Sequence, residues 1–287
     1  PAAAAPAETP APVENKPPAT PEQMVEKARA FAKAVGATVG EAVQHSLISS
    51  SHKTDKLWHV VFPDQATVDI DERADRVVFF SNDARVAELQ KLEKTPETLV
   101  KDEEARARAV EALKAAGVGD DVIFKKSAVD TVGKAPALLQ RWKLHYPRVH
   151  QKVRFRNQGV ELLVDAHSGN VLTMDVNFYT PPPKVVEFPF PNYKAGNAAR
   201  DQLRLVGVPN AGLSSVEEMI VEPNRFWQDK TTVPAQPVHA RAVWVATFHI
   251  KRFPVEVWLD GVSGSVVGGW QEGDILTKPP PELPRQK

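Results

Sequence analysis

Apolar and polar positions along this chain follow one order three times. First comes a helical spacing that stops at glycine. Met24, Ala28, Phe31 and Val35 share a face ahead of Gly36, residues 105–116 run to Gly117, and residues 198–206 run to Gly207. Next comes a period-two stretch ending in an aromatic ring: Trp58-His59-Val60-Val61-Phe62, Lys152-Val153-Arg154-Phe155 and Trp244-Val245-Ala246-Thr247-Phe248. Last come two short apolar runs joined by a tight turn. The pattern predicts a helix, two strands, a turn and a third strand in each unit.

The turn is clearest at Leu163-Val164-Asp165-Ala166-His167-Ser168-Gly169-Asn170-Val171-Leu172. It returns around Asp260-Gly261-Val262-Ser263-Gly264, and in weaker form around Asp71, where Asp75 stands in place of the turn glycine. A hairpin loop of this length needs one residue at positive φ, which glycine adopts freely and aspartate at some cost. Asp71, Asp165 and Asp260 lie 94 and 95 residues apart. Each is expected to cap its own turn through its carboxylate rather than to ligate a metal or act as an acid or base.

Taken in order, residues 1–21 form a Pro/Ala-rich linker with too little apolar bulk to fold. A first unit is expected over 22–95, a second over 96–180, a Pro-rich linker over 181–191, a third unit over 192–272 and a Pro-rich tail over 273–287. In the second unit a helix is predicted from Pro96 to Ala116, with Leu99, Ala109, Val110 and Leu113 buried. A strand follows over 138–146, interrupted by Pro147, then a strand over 149–155 and a turn at Asn157-Gln158-Gly159. By its spacing Trp142 is out of register with Trp58 and Trp244. Units this small bury modest cores, so neighbours are expected to dock. The fold class is α+β: three tandem helix-on-antiparallel-sheet units.

Composition narrows the function. Formal net charge is zero, which argues against a nucleic-acid partner. The absence of cysteine removes disulfides, thiolate metal sites and thiol nucleophiles. No apolar run approaches the roughly 18 residues of a membrane helix. The Pro/Ala-rich start suits a tether to a membrane or cell wall, which gives an extracytoplasmic expectation with a leader ahead of it.

The unit resembles a PepSY-type repeat. The second hairpin carries the resemblance best, in Val164-Asp165-Ala166-His167-Ser168-Gly169-Asn170-Val171-Leu172; the third has Gly261 for the alanine, and the first lacks the turn glycine. That family occurs in propeptides of thermolysin-like metalloproteases and in many secreted or membrane-attached bacterial proteins. The resemblance implies a helix laid across an antiparallel sheet and a non-catalytic role, commonly binding or restraining a protease or another extracytoplasmic partner. It supplies no catalytic residue.

The remaining constellations are thin. His45, His52 and His59 lie seven apart but on no common helix, so a metal site is not expected, and no cofactor motif is present. Arg148, His150, Lys152, Arg154 and Arg156 alternate with Val149, Gln151, Val153 and Phe155. On one strand they would form a row of cations able to hold an anionic partner, or else a solvated, aggregation-resistant face. Trp258 is expected to be buried between units. The leading reading is a non-enzymatic extracytoplasmic module that binds or inhibits a protein partner. A structural envelope spacer comes second, and a hydrolase with a site assembled from distant residues a far third.

Overall fold

Local signals start the first helix, α1 (Pro21–Ala34). Thr20 accepts from the Gln23 N–H while the Gln23 side chain accepts from the Thr20 N–H, satisfying two donors that a helix start leaves orphaned. Four strands follow: β1 (Gln44–Ile48), β2 (Leu57–Phe62), β3 (Ala66–Asp71) and β4 (Arg76–Ser81). A short helix, α2 (Asp83–Gln90), leads to α3 (Asp102–Ala115), then β5 (Lys126–Lys134), β6 (Ala137–His150), β7 (Val153–Asp165) and β8 (Val171–Asn177). Last come α4 (Asn192–Leu205), β9 (Gly212–Val221), β10 (Arg241–Ile250), β11 (Phe253–Asp260) and β12 (Val266–Gln271). This computed structural model describes residues 19–49, 56–91, 99–134, 137–178, 180–227 and 239–273. The Pro-rich ends, His52 and most of the insertion 222–238 lie outside these.

Each of α1, α3 and α4 is followed by a four-stranded antiparallel meander, in the orders β1-β2-β3-β4, β5-β6-β7-β8 and β9-β10-β11-β12. The sequence pattern predicts three strands per unit. The extra one, β1, β5 or β9, alternates too weakly to register: every residue of β1 is exposed. The meanders join into one 12-stranded sheet, antiparallel except between β7 and β9.

The three hairpins share details that the spacing alone does not reveal. Each ladder slips two residues before the aspartate, at Asp69/Ile70, Leu163/Val164 and Trp258/Leu259. Four residues after the aspartate comes a positive φ, at Asp75 (51°), Gly169 (76°) and Gly264 (71°). Trp58, Trp142 and Trp244 stand across from Ile70, Val164 and Leu259, each one residue before the aspartate. Trp142 is therefore in register after all. The β6–β7 hairpin is longer on both arms, which stretches the Trp-to-Asp separation to 23 residues against 13 and 16.

Each tryptophan also helps tie down the chain that leads into its helix. Trp142 Nε1 donates to the Val100 carbonyl at 2.9 Å and Trp244 Nε1 to the Phe190 carbonyl at 2.7 Å. In the first unit Glu72 bridges instead, accepting from Trp58 Nε1 and from the Ala19 N–H. Gly261 replaces alanine in the third hairpin because a Cβ there would sit 2.7 Å from the Glu187 carbonyl oxygen of the linker crossing it.

Other expectations need correction. The second helix starts at Asp102, not Pro96, and Leu99 and Val110 are exposed. Its buried stripe is Ala105, Ala109, Ala112 and Leu113, small enough to bring the helix close to the sheet. No turn forms at residues 157–159, where β7 runs on with Gln158 buried.

The helices α1 and α3 pack on one face of the first two meanders around a shared core that includes Phe31, Phe62, Phe80, Leu113, Leu162 and Met174. Phe31 meets Phe80 edge-on at 5.4 Å. The third meander has its own core under α4, with Leu203, Trp244, Phe248 and Leu259. Trp258 is buried as expected, but with Val221, Val243 and Val245 of its own sheet rather than between units.

Candidate functional site

The hairpin carboxylates face inward on their own turns. Asp71 Oδ1 accepts from the Arg73 and Ala74 N–H groups, both at 3.1 Å. Asp165 accepts from the His167 N–H at 2.9 Å and the Ser168 hydroxyl at 2.5 Å. Asp260 accepts from the Val262 and Ser263 N–H groups at 3.1 and 2.9 Å. Burial pushes the Asp165 pKa up, but the Ser168 hydroxyl, the His167 N–H and Arg85 more than offset it, and the net shift is downward. Asp260 shifts down by the same balance: burial raises it, while the Ser263 N–H and hydroxyl, the Val262 N–H and Arg241 lower it further. Arg85, on α2, reaches across to Asp165 at 2.8 Å and so links the first unit to the second hairpin.

The expected row of cations is not one strand. Gln151 and Lys152 take positive φ (49° and 69°) and turn the chain, so Arg148 and His150 belong to β6 and Arg154 and Arg156 to β7. Arg148 is buried. Its guanidinium lies 4.5 Å from the ring centroids of both Phe155 and Phe178, and it donates to Gln158 Oε1 and the Thr180 carbonyl at 2.8 Å each. His150 closes β6, and Lys152 sits in the turn. His45 and His59 stand across from Val60 and Ser46 on adjacent strands, so they point to opposite faces and share no ligand geometry. Instead, His59 Nδ1 lies 2.6 Å from Asp69 Oδ1.

Arg154 and Arg156 come together with residues that the sequence gives no reason to join. β7 lies between β6 and β8 along its second half. Along its first half it pairs in parallel with β9, Arg154 across from Met219 and Phe155 across from Ile220. At this joint Arg154 meets Glu217 at 2.9 Å, and Arg156 grips Glu256 with contacts of 2.7, 3.0 and 3.0 Å. Glu256 is buried; it also accepts from Trp258 Nε1 at 2.9 Å, while the Arg156 guanidinium stacks 5.2 Å from the Trp270 ring centroid. These partners lie 63 and 100 residues away in sequence, so no short-range motif announces them.

Above these pairs opens a cleft of about 570 Å³, lined among others by Lys125, His145, Arg154, Arg156, Asn177 and Glu217. It lies on the sheet face turned away from α4, since Glu256 alternates with Val255 and Val257 of the α4 core. Lys125 is exposed as a residue, though its ammonium is partly desolvated. That desolvation, then the charges of Arg154, Lys126 and Arg156, push its pKa down against the pull of Glu217, which is itself bound to Arg154. Burial also lowers the pKa of His145, against the opposing pull of Glu161, which is itself 3.3 Å from Lys143. Electrostatically the cleft holds two paired arginines beside a lysine that shares Glu217 with Arg154.

The chain is similar to the Bacillus megaterium YpeB C-terminal domain, with a TM-score of 0.45 and 11% identity, over 88% of this chain and 98% of that one. No family model and no curated protein matches.

Proposed function

We propose that this chain is a non-enzymatic, extracytoplasmic binding module of three PepSY-like units, and that its cleft holds an anionic group of a protein partner. The observation that carries the binding reading is Lys125, a cleft-lining cation on which the charges of Arg154, Lys126 and Arg156 act against the single carboxylate Glu217, already held by Arg154. An incoming carboxylate supplies a further negative charge without breaking the Arg154–Glu217 or Arg156–Glu256 pairs. The unit reading is supported by the common ladder slip, positive φ and tryptophan register of the three hairpins. The non-catalytic reading is supported by Asp71, Asp165 and Asp260, each of which has a carboxylate oxygen accepting from N–H groups of its own turn.

The test uses the whole chain and a fluorescein-labelled hexaglutamate peptide, followed by anisotropy. Binding should be saturable, should weaken as salt rises, and should fall by about tenfold or more in Lys125→Glu. A hexalysine peptide should not bind. Equal binding by Lys125→Glu, or none by the native chain, rejects the cleft as an anion site and favours the spacer reading.

A further inference from the structure

The branched sheet has three terminal strands: β1, β5 and β12. An exposed strand edge offers unpaired N–H and C=O groups to any extended chain, and folded proteins commonly block such edges. Two of the three are blocked here. Along β12, Asn224 acts as a false neighbour: its Nδ2 donates to the Gly269 carbonyl, its Oδ1 accepts from the Gly269 N–H, and its own N–H bonds the Val267 carbonyl. Along β5 stand Lys126 and Asp130, next to Lys125, so that edge carries charge.

Among the described residues β1 has neither device. Gln44-His45-Ser46-Leu47-Ile48 contains no Lys, Arg, Asp, Glu or Pro, and all five residues are exposed. Its inner edge pairs with β2, and no described strand pairs with its outer edge. Leu47 and Ile48 are 46% and 36% exposed, and as neighbours on a strand they face opposite sides of the sheet. An apolar side chain is thus left open on both faces beside an edge that no described strand pairs.

We infer that the outer edge of β1 takes up an extended, uncharged segment of another protein as an added strand, with apolar residues set against Leu47 and Ile48. A second copy of the chain fits less well. Antiparallel self-pairing centred on Ser46 would set His45 against Leu47 and Gln44 against Ile48, polar against apolar throughout. A ladder of about five residues also buries far less than the roughly 800 Å² per partner of a stable dimer. The inference does not depend on the cleft, which adjoins β7, five strands along the sheet.

The experiment titrates the whole chain into a fluorescein-labelled, end-blocked peptide, Thr-Thr-Val-Val-Thr-Thr. The expected result is saturable binding that is lost when alternate peptide nitrogens are methylated. It should weaken by about tenfold or more in Leu47→Lys/Ile48→Lys, with circular dichroism unchanged because both side chains are exposed. Hydrogen exchange on the native chain gives a reading that needs no variant: the peptide should protect amides of 44–48 and not those of 126–134 or 266–271. No binding, binding indifferent to N-methylation, or protection elsewhere overturns the proposal. Concentration-dependent self-association abolished by the double variant also overturns it, and assigns the edge to a second copy. Lys125→Glu should leave this binding intact, so the edge and the cleft can fail separately.

Discussion

The first and second units meet through β4 and β8, where Phe79, Phe80 and Ser81 stand across from Asp175, Met174 and Thr173, and beneath that seam their apolar residues form one continuous core. The second and third units meet through β7 and β9, in a parallel contact of two residue pairs flanked by Arg154–Glu217 and Arg156–Glu256. Among the described residues a small apolar cluster, Val153, Phe155, Ile220 and Ala240 with Val186 and Phe188 against it, spans this second joint, and the third unit keeps a core of its own. Shared apolar burial has no preferred direction and little salt dependence, so it fuses two units into one cooperative body. A charged joint is directional, screened by salt, and costs desolvation that its pairs must recover. The cleft opens at the charged joint, where polar groups are already present and the backbone between units is thinly paired.

The sharpest way to break this contrast is Phe80→Ala. Phe80 is fully buried in the shared core, so its loss should cost about 3–5 kcal/mol in urea unfolding, with the first two units melting together. Separate transitions for them would deny the shared core.

Next is Arg85→Ala, expected to cost about 2–3 kcal/mol because it leaves the buried Asp165 without its cationic partner. Its pH dependence can be signed. Asp165 is held below its ordinary value of 3.8, so the stability it contributes is present above that value and is lost as pH falls through the depressed one. In Arg85→Ala that acid loss should be smaller and should level off at a higher pH; an unchanged acid limb would show that the turn donors alone hold the carboxylate.

At the charged joint, a double-mutant cycle on Arg156 and Glu256 should give a coupling of about 1–2 kcal/mol, read on the unfolding of the third unit. The same cycle on Arg154 and Glu217 should give about 0.2–1 kcal/mol, because these side chains are 33% and 43% exposed and solvent screens them. Equal couplings would mean that burial of Glu256 does not set the strength of the joint.

Much of the hairpin was legible before any coordinates. Aspartate followed by small polar residues and a glycine specifies a capped turn within a handful of residues, and the backbone N–H bonds that Asp165 and Asp260 accept run within those spans. Helix ends at Gly36, Gly117 and Gly207 are equally local, each with positive φ. The basic stretch misled because alternation looks alike whether a strand continues or doubles back. Gln151 and Lys152 bear no turn glycine, and Lys152 was read as a strand residue.

The sequence by itself determined the units: where each helix stops, where each hairpin bends and which aspartate holds the bend. Those choices are made by steric and hydrogen-bonding preferences among near neighbours. Only the tertiary structure decided that β7 would pair with β9, that Arg156 would find a carboxylate 100 residues away, and that Lys125 would stand beside these arginines and share Glu217 with Arg154. The physical reason is range: a turn closes through bonds spanning a few residues, whereas a charged cleft exists only once separately folded surfaces have been brought together.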